Sequence, residues 1–272
     1  MDIPVFSAKG ATIPEAWEKA LRIVFERGMA VRTEYDAPSD PPSRDCSMMI
    51  TVARPLGEPR IHRAFPGGLD DLEVYRQEVV AGVHDHWIDP AAGKWTYTYH
   101  QRLFSYPSPD GPIDQVDILI RKLAETPYTR RAQAITWVPV EDPWAPDPPC
   151  LQRMWWRAPR ADDGSLTLNL NCHWRSRDAF KAAFMNIFAL TDLQRHVAER
   201  LQEAAGKPVS VGRYVDVIDS FHIYGKDLAQ AEAILANLDT RTFEEKTWTS
   251  EEAEPFFADG RRRLEEEQGA AR

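Results

Sequence analysis

The sequence is poor in the residue types that commit a chain to a specialised chemistry. It has three cysteines, Cys46, Cys150 and Cys172. That odd number, with no CxxC pair, excludes a disulfide framework and argues against a structural zinc site, so no metal is expected. No apolar run approaches the roughly 20 residues of a membrane helix. The opening "MDIPVFSAKG" lacks the basic-then-apolar pattern of a secretory signal, so the expected location is cytoplasmic, away from membranes. Positive charge is also short. The 33 Lys and Arg against 42 Asp and Glu leave a net charge of −9, which excludes a general nucleic-acid surface. It does not exclude a small anion held by a local arginine cluster, and "TRR" (129–131) and "WRSRD" (174–178) are two such clusters. Repeats, low-complexity linkers and composition breaks are missing too, so the 272 residues read as one large domain.

What is present is regular, mixed periodicity. Helical spacing predicts helices over 13–28, 70–83 and 113–125, and a long helix over 177–206 that is apolar on most of its circumference around 180–193. Strand patterns fall at 47–56, at "RRAQAITWVPV" (130–140), and at 209–225 as one long strand or two. Residues 151–159 and 165–174 form a predicted hairpin around "RADDG". The fold class is therefore α+β, with a mixed central β-sheet packed against a long buried helix over residues 1–240. Residues 241–272 form a charged C-terminal tail that reads as a solvated helix or a partly disordered segment.

Several residues are candidates for chemistry. Cys150 ends the proline-braced "DPWAPDPPC" and is either a small buried hydrophobe or a thiolate nucleophile. Arg130 and Arg131 open a strand and read either as a solvated face or as an anion site. Arg175 and Ser176 follow one strand and precede the predicted long helix, where helix N–H groups and dipole would favour a phosphate. Asn186, in "AFMNIFAL", either bonds neighbouring backbone or reads the polar edge of a ligand. His222 and Tyr224 in "SFHIYG" share one side of a strand. His84 and His86 in "VHDHW" lack a third metal ligand at sensible spacing.

Taken in order, these residues resemble the thymidylate synthase family over roughly 44–232. The motifs carrying the resemblance are "PPC" (148–150), "RSRDAFKAAFMNI" (175–187), "DSFHIY", "TRR", and "YTYHQRLFSY" followed by "IDQ". Shorter, divergent members from archaea and some bacteria are the most similar. The resemblance implies that Cys150 adds to C6 of a pyrimidine nucleoside monophosphate and makes C5 a carbon nucleophile toward a folate-borne methylene. It implies that Arg175, Ser176 and Arg44 hold the 5′-phosphate, joined by Arg130 and Arg131 from the partner of a sheet-packed homodimer. In that field of guanidinium groups, the Cys150 pKa is expected to fall. His222 and Tyr224 would bind the sugar 3′-hydroxyl and Asn186 the base. Glu78 would relay protons. Asp178 would contact the base or the folate side, where Trp87 also lies. The co-substrate implied is 5,10-methylenetetrahydrofolate or a related pterin.

Departures from the family pattern gather on the folate side. Leu151 replaces the histidine usual after the nucleophile, and "KAAF" (181–184) replaces a glycine- and proline-containing turn. Only Trp87 stands near "HDHWID", and the C-terminal closing segment is not recognisable. The leading expectation is methylation of dUMP to dTMP. The alternative is a dCMP, CMP or dUMP 5-hydroxymethylase, in which water replaces hydride in the last step. Asn186 favours uracil, since the cytosine-specific relatives carry aspartate there. A non-catalytic nucleotide-binding homologue would need neither Cys150 nor Glu78.

Overall fold

Strands with alternating buried and open positions, together with a helix buried around most of its circumference, dictate a layered arrangement in which helices cover one face of a sheet. The computed structural model describes residues 2–270. From the N-terminus the chain runs through β1 (Val5–Gly10), α1 (Ile13–Arg27), β2 (Met29–Val31), β3 (Ser43–Val52) and β4 (Ile61–His62). Next come α2 (Leu69–Ala81), α3 (Tyr99–Phe104), α4 (Gln115–Glu125), β5 (Gln133–Ile135), β6 (Leu151–Arg157) and β7 (Leu166–Trp174). The remainder is β8 (Arg177–Asp178), α5 (Ala183–Ala205), β9 (Val209–Ile223), α6 (Leu228–Leu238), β10 (Thr247–Trp248) and α7 (Ser250–Ala270).

The main sheet has the order β1-β3-β9-β7-β6-β5, with β2 beside β3 and β8 beside β9. It is mixed: β1/β3, β7/β9 and β8/β9 are parallel, and the other pairs are antiparallel. The 209–225 segment is one strand, β9, with β3 and β7 on its two sides. Along β7, Leu166, Leu168, Leu170, Cys172 and Trp174 are buried while the intervening residues are more open. The buried face meets α5, whose Phe184, Ile187, Phe188, Leu193 and Val197 are fully buried. The opposite face carries exposed Met49, Ile135 and Val217.

Three predicted boundaries move, each for a local reason. The long helix begins at 183 instead of 177, because Arg177 and Asp178 pair with Phe221 and His222 as strand β8. The Asp178 carboxylate then accepts from the backbone N–H of Phe180 and Lys181, both at 2.8 Å, which forms a turn before the helix. Arg175 and Ser176 therefore do not sit at the N-terminus of α5. β3 starts at Ser43 rather than 47, since β2 and the end of β9 pair with residues 43–46. β5 keeps only three residues of the predicted 130–140 strand.

The charged tail docks through one face. In α7, Ala253, Phe257 and Leu264 are buried, and a Cβ added to Gly260 would lie 2.7 Å from the Asp70 carbonyl oxygen, so only glycine permits this approach to α2. Arg263 pairs with Asp70 at 2.8 Å and Asp71 at 2.7 Å. The other faces of α7 are solvated, as its Glu and Arg content predicts.

Candidate active site

Cys150 immediately precedes β6 and is half-buried, whereas Cys46 and Cys172 are fully buried core residues. Its mount is built from backbone carbonyls that proline exposes as acceptors. The Arg175 guanidinium donates to the Pro149 carbonyl at 3.0 Å and the Pro148 carbonyl at 2.6 Å, and Arg175 N–H donates to the Cys150 carbonyl at 3.0 Å. Gln152 Nε2 donates to the Pro149 carbonyl at 2.7 Å. The β6/β7 register shifts between Leu151 and Arg153, a bulge that sets how the chain leaves the cysteine. Leu151 is fully buried, and its N–H donates to the Tyr99 hydroxyl at 3.3 Å. The expected lowering of the Cys150 pKa is not found. Burial pushes the thiol up, Asp147 pushes the same way, and Arg175 and Arg177 only partly oppose them.

Beneath this mount lies a buried polar network absent from the sequence reading. Arg177 pairs with Asp216, and both side chains are essentially inaccessible. The same carboxylate accepts from Trp174 Nε1 at 2.8 Å and Tyr214 Oη at 2.5 Å. The Arg177 guanidinium lies 4.0 Å from the Trp174 ring centroid. The sequence motif singles out only its neighbours Arg175, Ser176 and Asp178, because burial of an arginine depends on a counter-charge on β9, 39 positions away.

His222 and Tyr224 lie at the end of β9 with their rings 4.6 Å apart. His222 is buried, and among the described residues its Nε2 has no hydrogen-bond partner. Its Nδ1 is 3.4 Å from Ser220 Oγ, which donates to Asp45 at 3.0 Å. Burial raises the Asp178 carboxyl above the usual range, with the nearby charges of His222 and Asp227 acting in opposite senses. Burial also raises the Tyr224 hydroxyl, and the charges of Asp178, Tyr35, Cys150 and Asp147 act in the same direction. Arg44 sits on β3 opposite Ile223 and donates to the Gly28 carbonyl at 3.4 Å. Ser176 is half-buried in the β7–β8 connection. Arg130 and Arg131 are exposed just before β5, and neither is among the charges felt at Cys150 of the same chain.

On the other side of Tyr99 opens a cleft of about 390 Å3, lined by Glu78, Lys94, Trp95, Thr96, Tyr97, Thr98, Tyr99, Pro146 and Asp147. Glu78, in the last turn of α2, contacts His84 Nδ1 at 3.0 Å. Burial raises the Glu78 carboxyl and His84 pulls it back. Trp87 stacks on His84 with centroids 3.8 Å apart, and Trp95 meets Trp87 edge-on at 5.1 Å. Trp95 thus stands beside Trp87 from eight positions along the chain, a partner that spacing near "HDHWID" could not reveal. Asn186, on the second turn of α5, donates to the Tyr75 hydroxyl at 2.6 Å, so its partner is neither neighbouring backbone nor, so far, a ligand. A larger pocket of about 540 Å3, lined by residues such as Tyr128, Trp155, Arg157 and Arg213, contains none of the candidate residues. Among the described residues no group of three His, Cys, Asp or Glu side chains is arranged to hold a metal ion.

The chain belongs to the thymidylate synthase family: the family model described as thymidylate synthase matches residues 69–254. A Methanopyrus kandleri protein named "Putative thymidylate synthase" is 30% identical over 220 residues, covering 81% of this chain and 93% of its own. Proteins of the same name from Methanococcoides burtonii and Methanocaldococcus jannaschii are each 27% identical, over 84% and 79% of this chain and 93% and 89% of theirs. Among solved structures, thermostable thymidylate synthase A from Bacillus subtilis shares the fold, with a TM-score of 0.60 at 19% identity over 83% of this chain and 84% of that one. The protein is accordingly an enzyme of the thymidylate synthase type with the α+β fold of that family.

Proposed function

We propose that the protein methylates C5 of dUMP through a covalent bond from Cys150 Sγ to C6. The observation that carries this reading is the half-buried cysteine at the head of β6, set apart from two fully buried ones and held by an arginine-clamped proline approach beside Tyr99 and the Glu78 cleft. Attack by the thiolate pair on C6 moves the C5–C6 π electrons toward O4, leaving C5 nucleophilic. C5 would then bond to the carrier's methylene carbon. Loss of the C5 proton would expel the carrier's nitrogen and leave an exocyclic methylene on the ring. Hydride delivered from the carrier to that carbon would give the methyl group as the C6–S bond breaks, the ring double bond re-forms and the thiolate leaves. Asn186 suits uracil: with one N–H on Tyr75, its second N–H can donate to O4 while Oδ1 accepts from N3–H. The unpartnered His222 Nε2, beside Tyr224, is available to a sugar hydroxyl. Arg175, Ser176 and Arg44 would meet the phosphate, with Asp178 ordering the turn behind them.

The cleft suits the flat ring of 5,10-methylenetetrahydrofolate or a related pterin, since Trp95 and Tyr97 line it, Trp87 stands edge-on against Trp95, and Lys94 offers a cation. Such a carrier supplies the methylene carbon and, for methylation, the hydride. Arg130 and Arg131, remote from their own chain's thiol, fit a homodimer in which the open sheet face brings them to the partner's site. One observation favours hydroxymethylation as the second reading. The C-terminal helix lies along α2, and among the described residues none of its side chains lines the cleft, which leaves that cleft accessible to the water that would replace hydride.

The test follows tritium release from C5-tritiated dUMP, dCMP or CMP, with and without methylenetetrahydrofolate, alongside dihydrofolate formation. Release from dUMP with matching dihydrofolate is the expected result, and release without dihydrofolate means hydroxymethylation. No release from any nucleotide, with Cys150→Ala indistinguishable from the parent, refutes the enzyme reading.

A further inference from the structure

His84 has no role in the reaction as outlined, yet its surroundings are specific. Gly82 ends α2 with φ of +65°, and a Cβ there would lie 2.2 Å from His100 Nδ1, so only glycine turns the chain at this point. The turn folds His84 back over the last turn of α2, bringing Nδ1 to 3.0 Å from Glu78 Oε2. The short helical turn Asp85–Trp87 then lays the Trp87 indole on the imidazole at an interplanar angle of 9°. The His84 side chain is only 5% exposed. Its Nε2 is buried with no hydrogen-bond partner among the described residues, and faces Glu267 Oε2 on α7 at 3.6 Å.

An N–H on Nδ1 donates to the Glu78 carboxylate at 3.0 Å, while Nε2 stands 3.6 Å from the Glu267 carboxylate, close to a second acceptor but beyond a hydrogen bond. We infer that His84 is a positioning residue that holds Glu78 as a carboxylate aimed into the cleft and links it to the C-terminal helix through Glu267. This rests on the reading of Glu78 as the working carboxyl of the site. Other groups facing the pair act in known senses. Asp85 pushes the Glu78 proton affinity up, although its own charge is largely engaged by His100 at 2.6 Å and Thr98 at 2.5 Å. His86 stands beside Asp85, Tyr75 approaches from α2, and Lys94, Tyr97, Tyr99 and Asp147 line the cleft wall. Trp87 and Trp95 exclude water from one side of the ring.

The titration of the Glu78 carboxyl in the nucleotide-free protein tests the link directly. It is followed by carboxyl-labelled glutamate NMR and identified by the signal lost in Glu78→Gln. His84→Phe keeps the stack on Trp87 and removes both nitrogens. Its Glu78 midpoint is expected to rise by about one pH unit or more, a roughly tenfold gain in proton affinity. His84→Asn keeps a neutral donor near the Nδ1 position and should rise less. If the phenylalanine variant does not fold, a rise of at least about threefold in affinity is required of His84→Asn. An unmoved midpoint in the folded variants overturns the inference. So does an acid limb of tritium release that stays in place while the midpoint moves, because a purely structural residue changes rates without moving that limb. If the midpoint moves but no nucleotide ever releases tritium, the proposed substrate reading fails while the His84–Glu78 link stands.

Discussion

Replacing Asp216 with asparagine probes the platform under the thiol with almost no change of shape. The native carboxylate accepts from Arg177, Trp174 and Tyr214 at once, and neither it nor the Arg177 side chain reaches solvent. Asparagine removes the counter-charge of a guanidinium that cannot shed its proton, and turns one acceptor into a donor facing donors. Breaking a buried pair from one side costs about 3–5 kcal/mol, and an opposed donor adds about 1–3 kcal/mol. Against a total stability of about 5–15 kcal/mol, Asp216→Asn should lose about a quarter or more. Urea unfolding, followed by tryptophan fluorescence and far-ultraviolet dichroism, should show a midpoint lower by about 1 M or more. The double variant Arg177→Met/Asp216→Leu removes both charges and should recover at least half of that loss. A single variant within about 1 kcal/mol of the parent, or a double variant no better than the single, refutes the reasoning.

Two further outcomes follow from the same geometry. Arg175→Met removes a cation that favours the Cys150 thiolate, so the thiol should titrate still higher and the thiolate fraction at pH 7 should fall. Alkylation of Cys150 by iodoacetamide, read by peptide mass spectrometry, should slow by about threefold or more, and an unchanged rate counts against the clamp. At Glu18, burial pushes the carboxyl up, but hydrogen bonds from His62, Arg22 and Lys246 outweigh it and hold the pKa at about 2. The resulting stability is present above the ordinary carboxylate range and is lost as pH falls through about 2. Glu18→Gln should therefore cost about 1 kcal/mol at neutral pH after solvent screening, with the gap in melting temperature closing below about pH 4. A gap that persists at pH 2 contradicts the assignment.

Features set by local periodicity were legible in the sequence. The α1, α2 and α4 helices, the β6–β7 hairpin and the strand pattern at 209–225 fall within a few residues of their predicted places, although the sequence left open whether that last segment is one strand or two. Features set by distant partners were not. The six-residue delay of α5 depends on pairing of Arg177 and Asp178 with β9, and the burial of Arg177 depends on Asp216. The candidate residues were found through ordered motifs, yet their local partners were invisible: Asn186 on Tyr75, Arg175 on two proline carbonyls, Trp95 beside Trp87. Within one chain the Cys150 thiol shifts up instead of down, also for a physical reason. The lowering is expected from a field that the resemblance completes with Arg130 and Arg131 of a partner; inside one chain only Arg175 and Arg177 oppose desolvation, which is the larger influence.

The central position of β9 also bears on how the protein is made. Its neighbours β3 and β7 are both synthesised earlier, and they meet only through it. Until residue 223 leaves the ribosome, β1–β2–β3 and β5–β6–β7 exist as two partial sheets, each with an unpaired inner edge. Those edges are the templates on which strands from other chains pair. A nascent chain stalled between the hairpin and β9 is therefore the species most exposed to aggregation, and the sheet closes in one late insertion that joins residues more than 160 positions apart.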